Sequence, residues 1–166
     1  MLAVSFYRAL GIDLVIWALW STAVSVCAVR WSDAAVRSDG WLTALRPWER
    51  DGLVYAALGI RRWKGWLPDL ATVVGGREKR LKDRRDPAAW QELAGETRRA
   101  ERAHWLILLA LPMQFLVRGG VILIPMAAYG LVANGPCIAA QRYNRGRLGV
   151  LRRRRLAREL ETGVIS

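Results

Sequence analysis

The sequence predicts an all-α integral membrane protein. Three observations support this: a high apolar content, long apolar runs separated from the basic segments, and no strand-like alternation. The chain has 166 residues, 53% of them hydrophobic, with nine tryptophans and a formal net charge of +12. Apolar and basic residues in such amounts must be segregated along the chain. Because a chain of this length is normally one domain, we expect residues 1–166 to form a single membrane domain.

Three apolar runs are the candidate transmembrane helices, at about 9–29, 103–118 and 120–140. The first is near-continuous over about 20 residues, enough for a helix to cross a bilayer core of about 30 Å. The other two are separated only by Gly119, Gly120 and their neighbours, which predicts a helical hairpin. A buried hairpin in a soluble protein is the alternative, but so small a chain has little polar sequence to cover three such helices.

The first run is predicted to be a retained N-terminal anchor, although Arg8 and the apolar core after it also fit a cleaved signal, because that core is longer than a usual signal. Most basic residues lie in the segment 30–102 and in the tail 142–166. By the positive-inside rule, both are cytoplasmic and the N-terminus is outside. The sequence thus predicts a multi-pass protein of the cell membrane.

The segment 30–102 mixes tryptophans with charges, and its longest unbroken apolar piece, 53–60, is too short to span a membrane. Such amphipathic sequence favours one or two interfacial helices, with a small soluble helical subdomain as the alternative. Asp86 as a cap and Pro87 in the first turn predict a helix start. This helix is expected to run without a break into the second apolar run.

The only histidine, His104, stands where the charged sequence becomes apolar. Thr97, Glu101 and His104 share one helix face, and Glu101 can reach His104 across three residues. A carboxylate beside an imidazole fixes its tautomer and stabilises its charged form, which suits a base that removes a hydroxyl proton. An interfacial histidine among solvated ion pairs is the alternative. A metal site would need further carboxylates, and we expect none.

The third run contains Pro136, which frees a carbonyl one turn earlier and predicts a kink. Asn134 beside it indicates either a polar pocket near the cytoplasmic surface or a helix–helix contact. The helix exit then carries five hydrogen-bonding side chains: Gln141, Arg142, Tyr143, Asn144 and Arg145. This mixture is suited to phosphate or sugar hydroxyls. The hairpin would bring it near His104.

Basic clusters at 77–85 and in the tail are interpreted as contacts with anionic lipid headgroups. Nucleic acid is not an expected partner. Cys27 and Cys137 fall in apolar runs and give no disulfide pattern.

The sequence resembles the bacterial glycosyl-4,4'-diaponeurosporenoate acyltransferase family of the staphyloxanthin pathway. The resemblance rests on four stretches in order: RRWKGWLPD at 61–69, GGREKRL at 75–81, ETRRAERAHW at 96–105 and ANGPCIAAQRYNRGRL at 133–148. The positions that match its motifs are Glu96, Thr97, Arg99, Glu101, His104, Trp105, Asn134, Pro136, Gln141, Arg142, Tyr143, Asn144 and Arg145.

The resemblance implies transfer of a fatty-acyl group to a sugar hydroxyl of a glycosylated carotenoid at the membrane. His104 would then be the base and Glu101 its orienting partner. We expect the substrates to bind at Thr97, Asn134, Gln141, Arg142, Tyr143, Asn144, Arg145, Arg61, Arg62 and Lys64. Among these, the three basic residues at 61–64 would hold the phosphates of an acyl carrier. The co-substrate is an acyl donor such as acyl-CoA or acyl carrier protein, and no other cofactor is expected.

Three functions are compatible with these residues. The favoured one is a membrane acyltransferase acting on a lipid-linked acceptor at the cytoplasmic face. A membrane scaffold that recruits a soluble enzyme is the second, and a lipid hydrolase using the same Glu–His pair is the third. Because three spans leave little room for both a lipid cleft and a donor site, a homodimer or a protein partner could complete the site.

Overall fold

The computed structural model describes residues 2–67, 86–118 and 122–162, and every regular element in them is helical. The expected all-α fold is therefore confirmed for this part of the chain. The elements are α1 (Leu2–Val29), α2 (Asp33–Val36), a 3₁₀ turn (Pro47–Glu49), α3 (Leu53–Ala57), α4 (Ile60–Trp63), a second 3₁₀ turn (Lys64–Trp66), α5 (Pro87–Leu108), α6 (Ala110–Arg118) and α7 (Leu123–Glu161). The basic cluster at 77–85 and the Gly119–Gly120 turn lie outside the described residues.

Helix α5 begins as predicted but ends earlier than expected. The Asp86 carboxylate accepts the backbone N–H of Ala88 at 2.8 Å, and Pro87 occupies the first helical position. At the other end the chain makes a turn at Leu109 before α6 begins. Pro112 explains the break, because it has no N–H for the Leu108 carbonyl and its ring crowds that carbonyl. The second apolar run is therefore divided between α5 and α6.

Two helices, rather than the expected three, are long and apolar enough to cross a membrane in the described part of the chain: Phe6–Val29 and Leu123–Glu161. Helix α6 has only nine residues. Helix α7 has 39 residues, and at 1.5 Å per residue it is about 58 Å long, nearly twice the bilayer core. The predicted third span and basic tail are thus one helix, which Pro136 does not end.

The core between the long helices consists of side chains from α1, α5, α6 and α7. Its buried members are Trp17, Val24, Ala28, Ala103, Ile107, Ala110 and Met126. Trp20 on α1 adds a hydrogen bond from its indole N–H to the Leu106 carbonyl, at 3.0 Å. Gly130 allows α7 to approach α1, because a Cβ there would lie 2.6 Å from the Trp17 ring.

Arginines of α5 bind the chain that leaves α1. Arg99 donates to the carbonyls of Ala28 at 2.8 Å and Trp31 at 2.5 Å. The first of these lies in the last turn of α1, whose final carbonyls have no partner within the helix. Arg102 donates to the carbonyls of Ala35 and Ser38. These bonds fix the segment after α1 against the polar half of α5.

The segment 30–67 forms three short α-helices and two 3₁₀ turns rather than the one or two helices expected. Pro47 starts a 3₁₀ turn, and Gly52 and Gly59 adopt φ of 74° and 70°. A left-handed backbone interrupts a helix, which explains why no long helix forms. The segment nevertheless exposes large aromatic side chains, namely Trp41, Trp48 and Trp66.

We predict that Gly130→Ala lowers the free energy of unfolding by about 1–3 kcal/mol, because the added methyl group overpacks the Trp17 contact. Gly135→Ala is the matched control on the same helix, since no atom beyond its chain neighbours and its own helix backbone lies within 4 Å of the added methyl group. It should be neutral or stabilise by up to about 1 kcal/mol. Thermal unfolding in detergent measures both, and equal effects of the two substitutions would contradict the packing argument.

Candidate functional site

Helices α5 and α7 cross in antiparallel directions, and their contacts bring the predicted site residues together. His104 on α5 meets Asn134 on α7, whereas Glu101, one turn earlier on α5, meets Arg142 and Arg145, later on α7. The two predicted motifs, 30 or more residues apart, therefore form one continuous contact.

Asn134 orients the imidazole of His104. Its amide nitrogen donates to the Gly130 carbonyl at 2.9 Å, and its Oδ1 lies 2.9 Å from Nδ1 of His104. A carbonyl can only accept, so the amide is fixed with its oxygen towards the ring. Nδ1 of a neutral His104 must then carry the proton, which places the lone pair on Nε2. Asn134 is buried and His104 is half-buried.

Glu101 is fully buried, at 0% exposure, and lies between two guanidinium groups. Its Oε1 accepts from Arg142 Nη1 at 2.6 Å and from Trp105 Nε1 at 3.3 Å, and its Oε2 accepts from Arg145 Nη2. From its spacing, Glu101 was expected to orient His104. In the structure, Nδ1 of His104 instead donates to Oδ1 of Asn134.

Arg142 uses its whole guanidinium group within the protein. Nε and Nη2 donate to the two oxygens of Glu49, each at 2.8 Å. Nη1 donates to Glu101 and to the Leu42 carbonyl at 2.9 Å, and Nη2 also reaches the Ala44 carbonyl at 3.0 Å. Arginine has five N–H donors, and these five bonds engage all of them. Arg142 could hold a substrate only by giving up one of these partners.

Glu49 was not predicted as part of the site. It is buried, and Tyr55 and the Arg46 backbone amide donate to it alongside Arg142. Burial by itself raises the pKa of Glu49, but the hydrogen bonds from Arg142, Tyr55 and Arg46 outweigh burial and lower it to about 2. Burial and the neighbouring carboxylate raise the pKa of Tyr55. In the sequence, Pro47 and Glu49 indicate the start of a helical turn. No local pattern, however, connects Glu49 with Arg142.

Arg145 is only partly engaged. Nη2 donates to Glu101 and to the Thr43 carbonyl, whereas Nε and Nη1 are buried without a hydrogen bond in the described structure. Nε has only a long ion pair, 3.9 Å from Asp39. Gln141 is likewise buried and its Oε1 has no hydrogen-bond partner. These two predicted residues keep bonding capacity that a ligand could use.

The remaining predicted binding residues lie in different surroundings. Thr97 is fully buried, and its hydroxyl donates to the Ala94 carbonyl of its own helix at 2.8 Å. Lys64 donates to Asn144 at 3.1 Å and lies 4.8 Å from the centre of the buried Tyr143 ring. Lys64 therefore contacts two neighbouring residues of α7, Tyr143 and Asn144. The other two, Arg61 and Arg62, are exposed.

Similarity to known proteins identifies the family of this chain. The sequence profile described as glycosyl-4,4'-diaponeurosporenoate acyltransferase matches residues 38–154. The chain belongs to this acyltransferase family. A curated protein named glycosyl-4,4'-diaponeurosporenoate acyltransferase from Staphylococcus haemolyticus (strain JCSC1435) is 27% identical over 167 residues, which cover 95% of each chain. No solved structure matches the chain.

The family match contains every contact of the candidate site, from Leu42 to Arg145, and begins after α1. Two of the stretches on which the resemblance rested, at 61–69 and 75–81, extend into or fall within sequence that the structure does not describe. Within the described residues, no group of three or more His, Cys, Asp or Glu side chains is placed to hold a metal ion.

We predict that Arg142→Lys destabilises the acyltransferase-family fold by about 3–5 kcal/mol, because a lysine cannot satisfy two buried carboxylates at once. Arg154→Lys is the control, since Arg154 is exposed on the same helix. It should change stability by less than about 0.5 kcal/mol. Denaturant unfolding in detergent measures both. A small effect of Arg142→Lys would show that the buried ion pairs are dispensable.

The depressed pKa of Glu49 predicts a loss of stability in acid. A carboxylate whose folded pKa lies below its unfolded value stabilises the fold above the unfolded value and loses this contribution as the pH falls. For a fall from 4.5 to about 2, at about 1.4 kcal/mol per unit, the contribution is about 3 kcal/mol.

The window for this measurement is therefore pH 4.5 down to about 2. Glu49→Gln should lack this part of the pH dependence, while being less stable than the wild type at neutral pH because Arg142 loses a charged partner. Unfolding measured at a series of pH values tests it, and identical slopes for both proteins would exclude the assignment.

Proposed function

We propose that this protein is a membrane acyltransferase that moves a fatty-acyl group to a hydroxyl of a glycosylated lipid, such as a glycosyl carotenoid, at the cytoplasmic face. The observation that carries the proposal is the His104–Asn134 pair, a half-buried imidazole with a fixed tautomer. Membership of the acyltransferase family supports the reaction class. The name of the curated relative supports the acceptor.

The proposed reaction uses Nε2 of His104 as a general base. It takes the proton of the acceptor hydroxyl while the hydroxyl oxygen attacks the carbonyl carbon of the acyl donor. The carbon–oxygen bond of the ester forms as the bond to the leaving group breaks. The imidazolium then returns its proton to that leaving group, which restores the neutral ring. An asparagine that holds the histidine tautomer serves such a base in other catalytic arrangements as well.

In this proposal, Asn134 takes the orienting role that the sequence predicted for Glu101. Glu101 acts through Arg142 and Arg145, which it holds in place. Gln141 is the residue we propose for binding a hydroxyl of the acceptor, because its buried Oε1 keeps an unused hydrogen-bonding capacity. Lys64 and Asn144, which contact each other, are a second polar pair for the substrate.

We propose that the apolar helices lie in the membrane. Only 22% and 28% of their most apolar windows are buried inside the protein. Large exposed side chains cover the outer faces of α1, α6 and the first part of α7: Ile12, Leu14, Val15, Ile16, Leu19, Met113, Phe115, Leu116, Ile124, Leu131 and Val132. A soluble protein rarely exposes such a large apolar surface. By the positive-inside rule, the arginine-rich end of α7 lies in the cytoplasm and the N-terminus outside. In this orientation the end of α5 and α6 together return the chain across the membrane between α1 and α7.

The segment 30–67 would then lie in the headgroup region. Its exposed tryptophans, Trp41, Trp48 and Trp66, suit the interface between water and lipid. Exposed arginines in the same segment, such as Arg61 and Arg62, would contact anionic headgroups rather than a soluble partner.

We predict that His104→Ala lowers acyl transfer by at least about 100-fold, because it removes the general base. Lipid mass spectrometry on cells that lack the gene, complemented with wild type or variant, measures the product. Leu109→Ala is the control: Leu109 is exposed and lies five residues further along the chain. It should retain the wild-type lipid profile. If His104→Ala restores the same lipids as wild type, the proposed base is wrong.

Asn134→Leu should reduce transfer less than His104→Ala does, because the imidazole remains but its tautomer is no longer held.

An assay of the purified wild-type protein with an acyl donor and a glycolipid distinguishes the other candidate functions. An ester product made by this protein alone excludes the scaffold. Release of free fatty acid in place of an ester identifies a hydrolase.

A further inference from the structure

A cleft lies at the polar end of the helix pair, away from His104. It has a volume of about 930 Å³ and is lined by the first half of α5, the last part of α7 and the segment around α2. On α5, the lining residue nearest to His104 is Arg98, six residues before it. At 1.5 Å per residue, this separation is about 9 Å along the helix. On α7, Arg145 lies eleven residues beyond Asn134, the partner of His104, or about 16 Å. The cleft is therefore distinct from the site of the proposed base.

The buried polar atoms without a hydrogen bond that line this cleft are all donors. They are Nε and Nη1 of Arg145 and Nε1 of Trp90. Arg145 is only 5% exposed, so water does not replace the missing partners easily. Nothing else in the described part of the chain accepts from these N–H groups. An occupant that satisfies them must supply acceptor oxygens.

Of the five carboxylates that line the cleft, four have arginine partners in the described structure, and the fifth, Glu92, is exposed. Asp39 binds Arg98 at 2.7 Å, and Glu159 binds Arg155 at 2.5 Å. A single arginine, Arg99, binds both of the acidic residues Asp33 and Glu96, at 3.2 Å and 3.3 Å. These acids consequently repel an incoming anion less than isolated carboxylates would.

Two further arginines at the cleft carry no such pair. Arg37 and Arg152 are exposed, and neither forms an ion pair with any residue that the structure describes. Arg152 lies two turns beyond Arg145 on the same face of α7. Arg152 and the unused N–H groups of Arg145 offer charged donors along the α7 wall, and Arg37 lines the cleft from the end of α2. Guanidinium groups in such a row are typical of phosphate recognition.

We infer that this cleft binds the phosphate-bearing head of the acyl donor. The identification of the ligand as a donor rests on the proposed function, whereas the phosphate chemistry rests on the cleft itself. With the head held at Arg145 and Arg152, an acyl chain linked through a flexible arm crosses the remaining distance to His104. The phosphate belongs either to a soluble donor such as an acyl-coenzyme A or to a phospholipid.

Binding, measured by isothermal titration calorimetry, tests this inference without requiring catalysis. The full chain in phosphatidylcholine nanodiscs is titrated with coenzyme A in one arm and with short-chain phosphatidylglycerol in the other. Arg152→Glu should weaken binding of the true probe by about tenfold. Trp90→Phe removes only the indole N–H donor and keeps an aromatic ring, and should weaken binding by about threefold.

Arg154→Glu is the matched control. It makes the same change of charge two residues away, and Arg154 does not line the cleft. It should alter the dissociation constant by less than about twofold, because exposed charges are screened. Equal weakening by Arg152→Glu and Arg154→Glu would show that the basic helix, not the cleft, attracts the probe, and would overturn the inference. The inference would also be overturned if neither probe bound at millimolar concentration. The same holds if glucose, which has no phosphate, bound with the same dependence on Trp90 and Arg152.

The two proposals fail in different ways. His104→Ala should bind coenzyme A or the lipid as tightly as wild type does, because the base lies outside the cleft. If the wild-type protein transfers no acyl group but binding still depends on Arg152, the proposed function fails and the phosphate site stands. If the wild-type protein transfers acyl groups, and Arg152→Glu and Trp90→Phe bind the probe and transfer acyl groups as well as wild type does, only the assignment of the cleft fails.

Discussion

The arrangement of this protein depends on one buried carboxylate, Glu101, between the guanidinium groups of Arg142 and Arg145. Removing an ion from water costs several kcal/mol, and only close, fully hydrogen-bonded partners compensate for it. Arg142 extends the network to Glu49. The network therefore joins α5, α7 and the segment before α3 at one level, and it sets the register of the two helices.

The register of α5 and α7 in turn positions the His104–Asn134 pair and the cleft. Towards the apolar end, it places Asn134 against His104. In the other direction, it leaves Arg145 with one nitrogen on Glu101 and two facing the cleft. Gly146 lets the turn that contains Glu49 and Gly52 pack against α7, because a Cβ there would lie 2.7 Å from the Gly52 backbone nitrogen. The ion network thus positions two chemically separate regions.

The sequence predicted what depends on local pattern. It identified the first apolar helix, the start of α5 at Pro87, and the two motifs that meet at His104 and Asn134. It could not identify Glu49, because the bond to Arg142 joins positions 93 residues apart and no local signal marks such a pair. The prediction that α5 continues unbroken into the second apolar run was wrong. Pro112 has no N–H for the Leu108 carbonyl, so it breaks the helix one turn before its own position.

The contacts also separate charge along the helix pair. The ionic network lies nearer the arginine-rich end of α7, and the His104–Asn134 pair, which contains no carboxylate, lies nearer the helix faces that expose large apolar side chains. A charge is costly near lipid, whereas an amide can fix a histidine tautomer without adding one. In the proposed mechanism, the amide of Asn134 thus holds the base in one tautomer without adding a charge beside the lipid-borne hydroxyl.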